Sequence, residues 1–204
     1  MLVTLITEKE FLKRKKTAAP DYLIRNKALV KKDSTITIGG QKFRDGYGEG
    51  HQPNIYSYIG EYKKLNAYLL EYMCSACEEY NYELIDKTTG EEISSFTNIP
   101  VFSKNFEFVI DLGQLFSNSP TILNIYKWKD HDGYMQNTYK EFANWSPIGD
   151  GFWGADNCYY IAVMPTLTAE RYRGKEMKSR KKAHYNYRYI KIQVKAPTVK
   201  EEGY

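Results

Sequence analysis

From Ser34 onward, apolar and polar residues alternate along the chain with a period of two; before it they do not. "STITIGGQKFRDG" alternates and turns at Gly39-Gly40, where positive φ has little steric cost, and this predicts a hairpin. Strand patterns follow in "IYSYIGEY", "NAYLLEYM", "YNYELID", "EEISSF", "FEFVIDL", "TILNIYKWKD", "YMQNTYKEF" and "CYYIAVM". "HYNYRYIKIQV" closes the series, with Tyr185, Tyr187 and Tyr189 on one face and Arg188, Ile190, Ile192 and Val194 on the other. Roughly ten short strands separated by turns predict an antiparallel β fold. The N-terminal stretch reads differently. Thr7-Glu8-Lys9-Glu10 matches a capping box ahead of Phe11 and Leu12, which predicts a helix over residues 8–16. "PDYLIRNKALVKK" spaces Leu23, Ile24, Ala28 and Leu29 as a second helix would, with strand as the competing reading. The expected organisation is a partly helical N-terminal arm over 1–33, a single antiparallel β domain over 34–195, and a flexible tail over 196–204.

An internal echo refines the fold class. "FTNIPVFS" (96–103) and "FANWSPIG" (142–149) align Phe96 with Phe142 and Asn98 with Asn144 at a spacing of 46. A period of that length is the size of a four-stranded propeller blade, a unit that buries its apolar face by stacking on the next. The fold expected is therefore mainly β, with antiparallel blade-like sheets arranged as a partial or small β-propeller or as a β-sandwich, and a short helical N-terminal arm.

The motifs carry a resemblance. Tyr56-Ser57-Tyr58-Ile59-Gly60, then Leu84-Ile85-Asp86-Lys87-Thr88-Thr89-Gly90, Pro100-Val101-Phe102-Ser103, and Trp153 with Asp156-Asn157 follow one another along the chain. On these, residues 55–164 resemble a group of uncharacterised proteins from Bacteroidetes with the pattern "Y-x-Y-x-G … LIDK-x-TG … P-x-FS", itself similar to β-propeller blades. The resemblance implies blade-like sheets and, since that group begins with an export or lipoprotein signal, a place in the periplasm or cell envelope if a signal has been removed from this chain.

Composition adds tyrosine: 19 Tyr against 9 Phe and 3 Trp, a balance that suits half-buried pleated faces as well as binding surfaces. The net charge of +4 hides a segregation. Residues 1–35 carry +5, residues 36–170 carry −9, residues 171–195 carry +9, and the last nine carry −1. Packing of basic ends beside an acidic body explains this, as does an anionic partner for the tail. Arg171, Arg173, Lys181 and Lys182 interleave with tyrosines as a nucleic-acid surface would, yet the acidic body argues against a polyanion. The polar segment 168–183 reads as a long hairpin loop or a short helix, too polar for the core and expected to be mobile and solvent-exposed. No apolar run approaches the roughly 18 residues of a membrane-spanning helix. In "MLVTLITEKEFLKRKK" the charges follow the apolar stretch, the reverse of a secretory signal, so the chain reads as cytoplasmic unless a signal has been removed.

Candidate chemistry is sparse. Cys74 and Cys77 form C-S-A-C without a second metal-ligating pair, and they read as plain thiols, a disulfide or redox pair, or part of a metal site. Asp130-His131-Asp132-Gly133 reads as a tight turn, lacking the downstream Glu of a calcium loop. No catalytic or metal motif is present, so no catalytic residue, metal ligand or cofactor is assigned. "NWSPIGDGFWGADN" places large rings on irregular backbone. Trp145, Trp153, Tyr159 and Trp128 are the candidate contact residues, against the alternative that loop tryptophans plug the end of a β core. The expected function is a non-enzymatic β-repeat module that binds a protein or surface ligand through its loop ends. The alternative is an immunity or antitoxin-like protein complexing a bacterial toxin, with an enzyme of dispersed residues as a third reading.

Overall fold

A computed structural model describes residues 1–47, 53–75, 79–113, 121–128, 137–142, 145–148, 151–165 and 187–194. Among the described residues the fold is mainly β, with several antiparallel sheets and one short N-terminal helix, and these sheets do not form a closed propeller. The chain forms two compact units, one of Met1–Ala19 with Asn144–Tyr204 and one of Pro20–Ala143. This division gathers the charge: the first unit holds 16 Lys/Arg against 8 Asp/Glu, and the second 13 against 17.

The first unit opens with strand β1 (Leu2–Ile6) and helix α1 (Glu8–Lys15). Thr7 is the N-cap its sequence predicts, in extended geometry, with its Oγ1 accepting from the Glu10 amide at 3.2 Å. Glu8 and Glu10 occupy the first turn and Lys13, Arg14 and Lys15 the last, so the charges complement the helix dipole. Phe11 points inward and meets Phe152 and Tyr189, with ring centroids 5.2 and 4.7 Å away.

Pro20–Lys32 is irregular, with isolated β-bridges at Ile24 and Lys32 and no helix. Two side chains divert the backbone: Asp21 Oδ1 accepts from the Leu23 amide at 3.0 Å, and Asn26 Oδ1 from the Ala28 amide at 3.0 Å. Such i to i+2 bonds compete with a helix for the same amides. Ile24 then exchanges both backbone bonds with Glu61, at 2.9 and 3.0 Å.

The second unit is layered. Strands β2 (Thr35–Ile38) and β3 (Gln41–Arg44) form the expected hairpin. Next comes a five-stranded meander of β4 (Gly46–Tyr47), β5 (Pro53–Tyr62), β6 (Ala67–Cys74), β7 (Glu79–Asp86) and β8 (Glu92–Phe96). A four-stranded meander of β9 (Val101–Phe102), β10 (Phe108–Gly113), β11 (Thr121–Lys127) and β12 (Asn137–Phe142) completes it. The doublets Leu69-Leu70 and Leu84-Ile85 show why the five-stranded sheet is a middle layer. Leu69 and Leu84 join Phe96, Phe102, Val109 and Trp128 in one core, while Leu70 and Ile85 join Ile36 and Ile38 of the hairpin in another. Adjacent strand residues point to opposite faces, so two consecutive buried aliphatics require burial on both.

The motif residues build these layers. Gly60 sits at a bulge in β5, where a Cβ would stand 2.7 Å from the Ile24 carbonyl oxygen. Asp86 Oδ1 ties the turn after β7, accepting from the Thr88 and Thr89 amides at 2.7 and 2.9 Å. Pro100 gives its carbonyl to the buried Tyr62 hydroxyl at 2.6 Å. Phe96 and Phe142, the echoed pair, each end a strand after which the chain passes to another sheet. At the first passage, fully buried Asp111 on β10 accepts through Oδ2 from the Thr97 amide and hydroxyl at 3.0 and 2.9 Å. Burial raises the Asp111 pKa despite these bonds.

The first unit resumes with β13 (Trp145–Pro147), β14 (Phe152–Trp153), β15 (Tyr159–Pro165) and β16 (Arg188–Gln193). β1 pairs antiparallel with β16, and β16 with β15, so the N-terminal strand completes the C-terminal sheet. Ile190 and Ile192 are buried, as their alternation predicts. The 130–133 turn and the 168–183 loop of the sequence reading lie outside the described residues.

Candidate functional site

The rings singled out by sequence are mostly interior. Trp153 is 1% exposed, and its indole meets the equally buried Tyr159 edge-on, with centroids 5.6 Å apart. Trp128 is buried in the core between the two meanders, edge-on to Phe102 at 5.2 Å. Trp145 alone among these is partly exposed. Arg171, Arg173, Lys181 and Lys182 lie outside the described residues. The loop joining β14 to β15 is instead held by polar bonds. Asp156 Oδ2 accepts from the Tyr160 hydroxyl at 2.7 Å and Lys191 Nζ at 3.1 Å, with Arg14 Nη1 at 3.6 Å. Burial acts to raise the Asp156 pKa, but these donors outweigh it and hold the carboxyl below its usual value. Cys158 nearby is a buried free thiol whose pKa is pushed up by burial and then by the Asp156 charge. Cys74 is disulfide-bonded at the end of β6, which decides among the three readings of the C-S-A-C motif for that residue; Cys77 lies outside the described residues.

An open concavity lies elsewhere, at the loop end of the second unit. It encloses about 610 Å³ between the β3–β4 junction and the start of β5, lined by Ser34, Arg44, Asp45, Tyr47, Pro53 and Asn54 among others. Asp45 is part of this lining. The Asp45 amide bonds the Ser34 carbonyl at 2.8 Å, and its carboxylate takes Lys31 Nζ at 2.8 Å on both oxygens and the Tyr56 amide at 2.9 Å. Burial acts to raise the pKa of Asp45, and the Lys31 and Tyr56 bonds outweigh it, so the carboxyl stays below its usual value. This charge is therefore spoken for. Three groups in the lining are not. Tyr47 is 78% exposed, and among the described residues Arg44 makes no ion pair and the buried acceptor Asn54 Oδ1 has no hydrogen-bond partner. A guanidinium presents a planar fork to carboxylates, and an exposed ring on a short strand offers a stacking face. Among the described residues no group of three or more His, Cys, Asp or Glu is placed to hold a metal ion. The cleft was visible in sequence only as the glycine-rich "GYGEGHQPN". The missed signal was an Arg and a Tyr set at the mouth of that loop, between two strands.

Behind the cleft, the Tyr56 ring packs on Phe43 and Tyr72 at 5.5 and 4.8 Å. Burial and then the Glu83 charge push the Tyr56 phenol up to about 12. Burial and the neighbouring Glu92 push Glu83 itself from 4.5 up to about 7. A raised pKa means that the folded state binds the proton more tightly. The associated stability is thus full below about 4.5 and is lost as pH rises through about 7. An unscreened shift of that size corresponds to about 3 kcal/mol, which solvent reduces to about 1–2 kcal/mol at this half-buried position. Glu83→Gln is expected to flatten this decline and to leave the protein more stable by about 1–2 kcal/mol near pH 8. Urea unfolding across that pH range checks it. An unchanged pH slope in the variant would assign the decline to other groups.

Comparison of the chain with family models, with curated proteins and with solved structures returns no match. The motifs of residues 55–164 therefore draw their meaning from the bonds described above.

Proposed function

We propose that this chain is a non-enzymatic binding module, a β-repeat of blade-like meanders that takes a protein partner through the loop-end cleft beside Tyr47. One observation carries the reading: in about 610 Å³ the cleft gathers an exposed phenol ring with a guanidinium and a buried acceptor that have no partner among the described residues. Unsatisfied buried acceptors and solvent-facing rings cost stability or solubility, so their convergence in one concavity suits a site completed by a partner. The chemistry asks for a carboxylate to meet Arg44 and a donor to meet Asn54 Oδ1, both of which a peptide segment supplies. The blade-like reading, as a partial propeller or a sandwich, rests on the successive meanders and on the echoed passages at Phe96 and Phe142. The immunity-type alternative draws on the acidic balance of the cleft-bearing unit, which suits a basic partner surface.

A photo-crosslinking residue at position 47 tests the proposal in native lysate. The expected result is one stoichiometric protein adduct that disappears with Arg44→Ala, while circular dichroism and the unfolding midpoint stay near those of the parent. Undiminished adduct in Arg44→Ala, or labelling spread over many proteins, would remove the cleft as the binding site. A basic toxin-like adduct would favour the immunity reading.

A further inference from the structure

The N-terminal helix belongs to the basic unit, and its outer face combines cations with an aliphatic side chain that the fold leaves uncovered. Phe11 and Arg14 turn inward, Phe11 to the aromatic cluster and Arg14 to Asp156. Leu12 therefore faces outward, and it is 49% exposed. Lys9, Lys15 and Lys16, three or four residues away on the helix, surround it, and Lys13 adjoins it. All four lysines are exposed and none makes an ion pair among the described residues. Of the two acids within four residues on the N-terminal side of Leu12, Glu8 is drawn toward the sheet by the Tyr189 hydroxyl, which donates to its Oε1 at 3.1 Å, and Glu10 is partly buried. Leu2 is exposed on the sheet face that α1 covers, since it shares that face with Ile6, which packs with Phe11. The described residues of this unit hold seven Lys/Arg against three Asp/Glu.

We infer that this face docks on a bilayer bearing anionic headgroups, with Leu12 entering the interface and the surrounding lysines meeting the headgroups. Charge complementarity identifies the class of surface, and the aliphatic side chains choose the bilayer over a nucleic acid. Interfacial helices set Leu against the acyl boundary with Lys above it, whereas nucleic-acid surfaces use aromatic stacking and Arg, which this patch lacks. Among the described residues no helix is long and apolar enough to span a membrane, and the contact inferred is that of a short amphipathic helix lying in the interface.

Vesicle co-sedimentation of the full chain tests this, with liposomes of phosphatidylcholine alone and with about one third phosphatidylserine. The expected result is binding to the anionic vesicles only, weakened by salt. Leu12→Ser is expected to lower it about tenfold. Each of Lys9→Gln, Lys15→Gln and Lys16→Gln is expected to lower it about fivefold. These positions are exposed, so circular dichroism is expected to be unchanged. Absence of binding to anionic vesicles overturns the inference, as does equal binding to neutral ones. So does retention of a single-stranded RNA with the same affinity by the parent and by Leu12→Ser, which would make the patch a phosphate-binding surface instead.

Discussion

Gly90→Ala is expected to destabilise the Pro20–Ala143 unit by about 3 kcal/mol or more, against about 1 kcal/mol for Gly40→Ala. Both glycines have positive φ, +74° and +84°, so both substitutions carry left-handed strain. Only one meets a wall. A Cβ on Gly90 would lie 2.2 Å from the Ile38 carbonyl oxygen, and one on the facing Gly39 would lie 2.3 Å from the Gly90 nitrogen, while nothing lies within 4 Å of a Cβ on Gly40. The β2–β3 and β7–β8 turns thus touch backbone to backbone, where no side chain can swing away. Thermal unfolding followed by circular dichroism reads the difference, at about 2–4 °C per kcal/mol for a chain of this size. A Gly90→Ala midpoint no lower than that of Gly40→Ala would show that the two turns are not locked together.

Trp153→Ala is expected to cost about 3–5 kcal/mol, and Trp145→Ala about 1 kcal/mol or less. The indole of Trp153 is buried against Tyr159, and its backbone carbonyl accepts from the Ala19 amide at 2.7 Å. Removing the ring opens a cavity that a sheet held by the β15–β16 ladder has little freedom to fill. Trp145 keeps part of its ring in solvent and loses less. Urea titration with near-ultraviolet circular dichroism checks both. A Trp153→Ala protein that stays folded and loses only its partner would return this ring to the contact role that loop tryptophans suggest.

The contrast between these two tryptophans marks where sequence reading reached its limit. "NWSPIGDGFWGADN" reads identically whether its rings plug a core or face a ligand, because burial depends on what comes to lie against them. Arg44 and Tyr47 were passed over for the converse reason. Local pattern showed a loop, whereas the cleft lies where Asp45, bonded to Lys31 and to the Tyr56 amide, ties the β3–β4 junction to β5. The second helix failed for a local reason, since Asp21 and Asn26 each take a backbone amide two residues on.

What the sequence determined by itself is everything set by short-range physics. Alternation placed the strands, Gly39-Gly40 turned the hairpin, Thr7 capped the helix, and the doublets Leu69-Leu70 and Leu84-Ile85 encode a sheet buried on both faces. Only the tertiary structure decided the rest. It joined β1 to β16 across almost the whole chain, gathered the two basic ends into one unit, buried Trp153 and left Tyr47 in the open. Strand pairing between distant segments is chosen by the match of whole faces and registers. That match is a property of surfaces formed after the strands exist, and no window of neighbouring residues contains it.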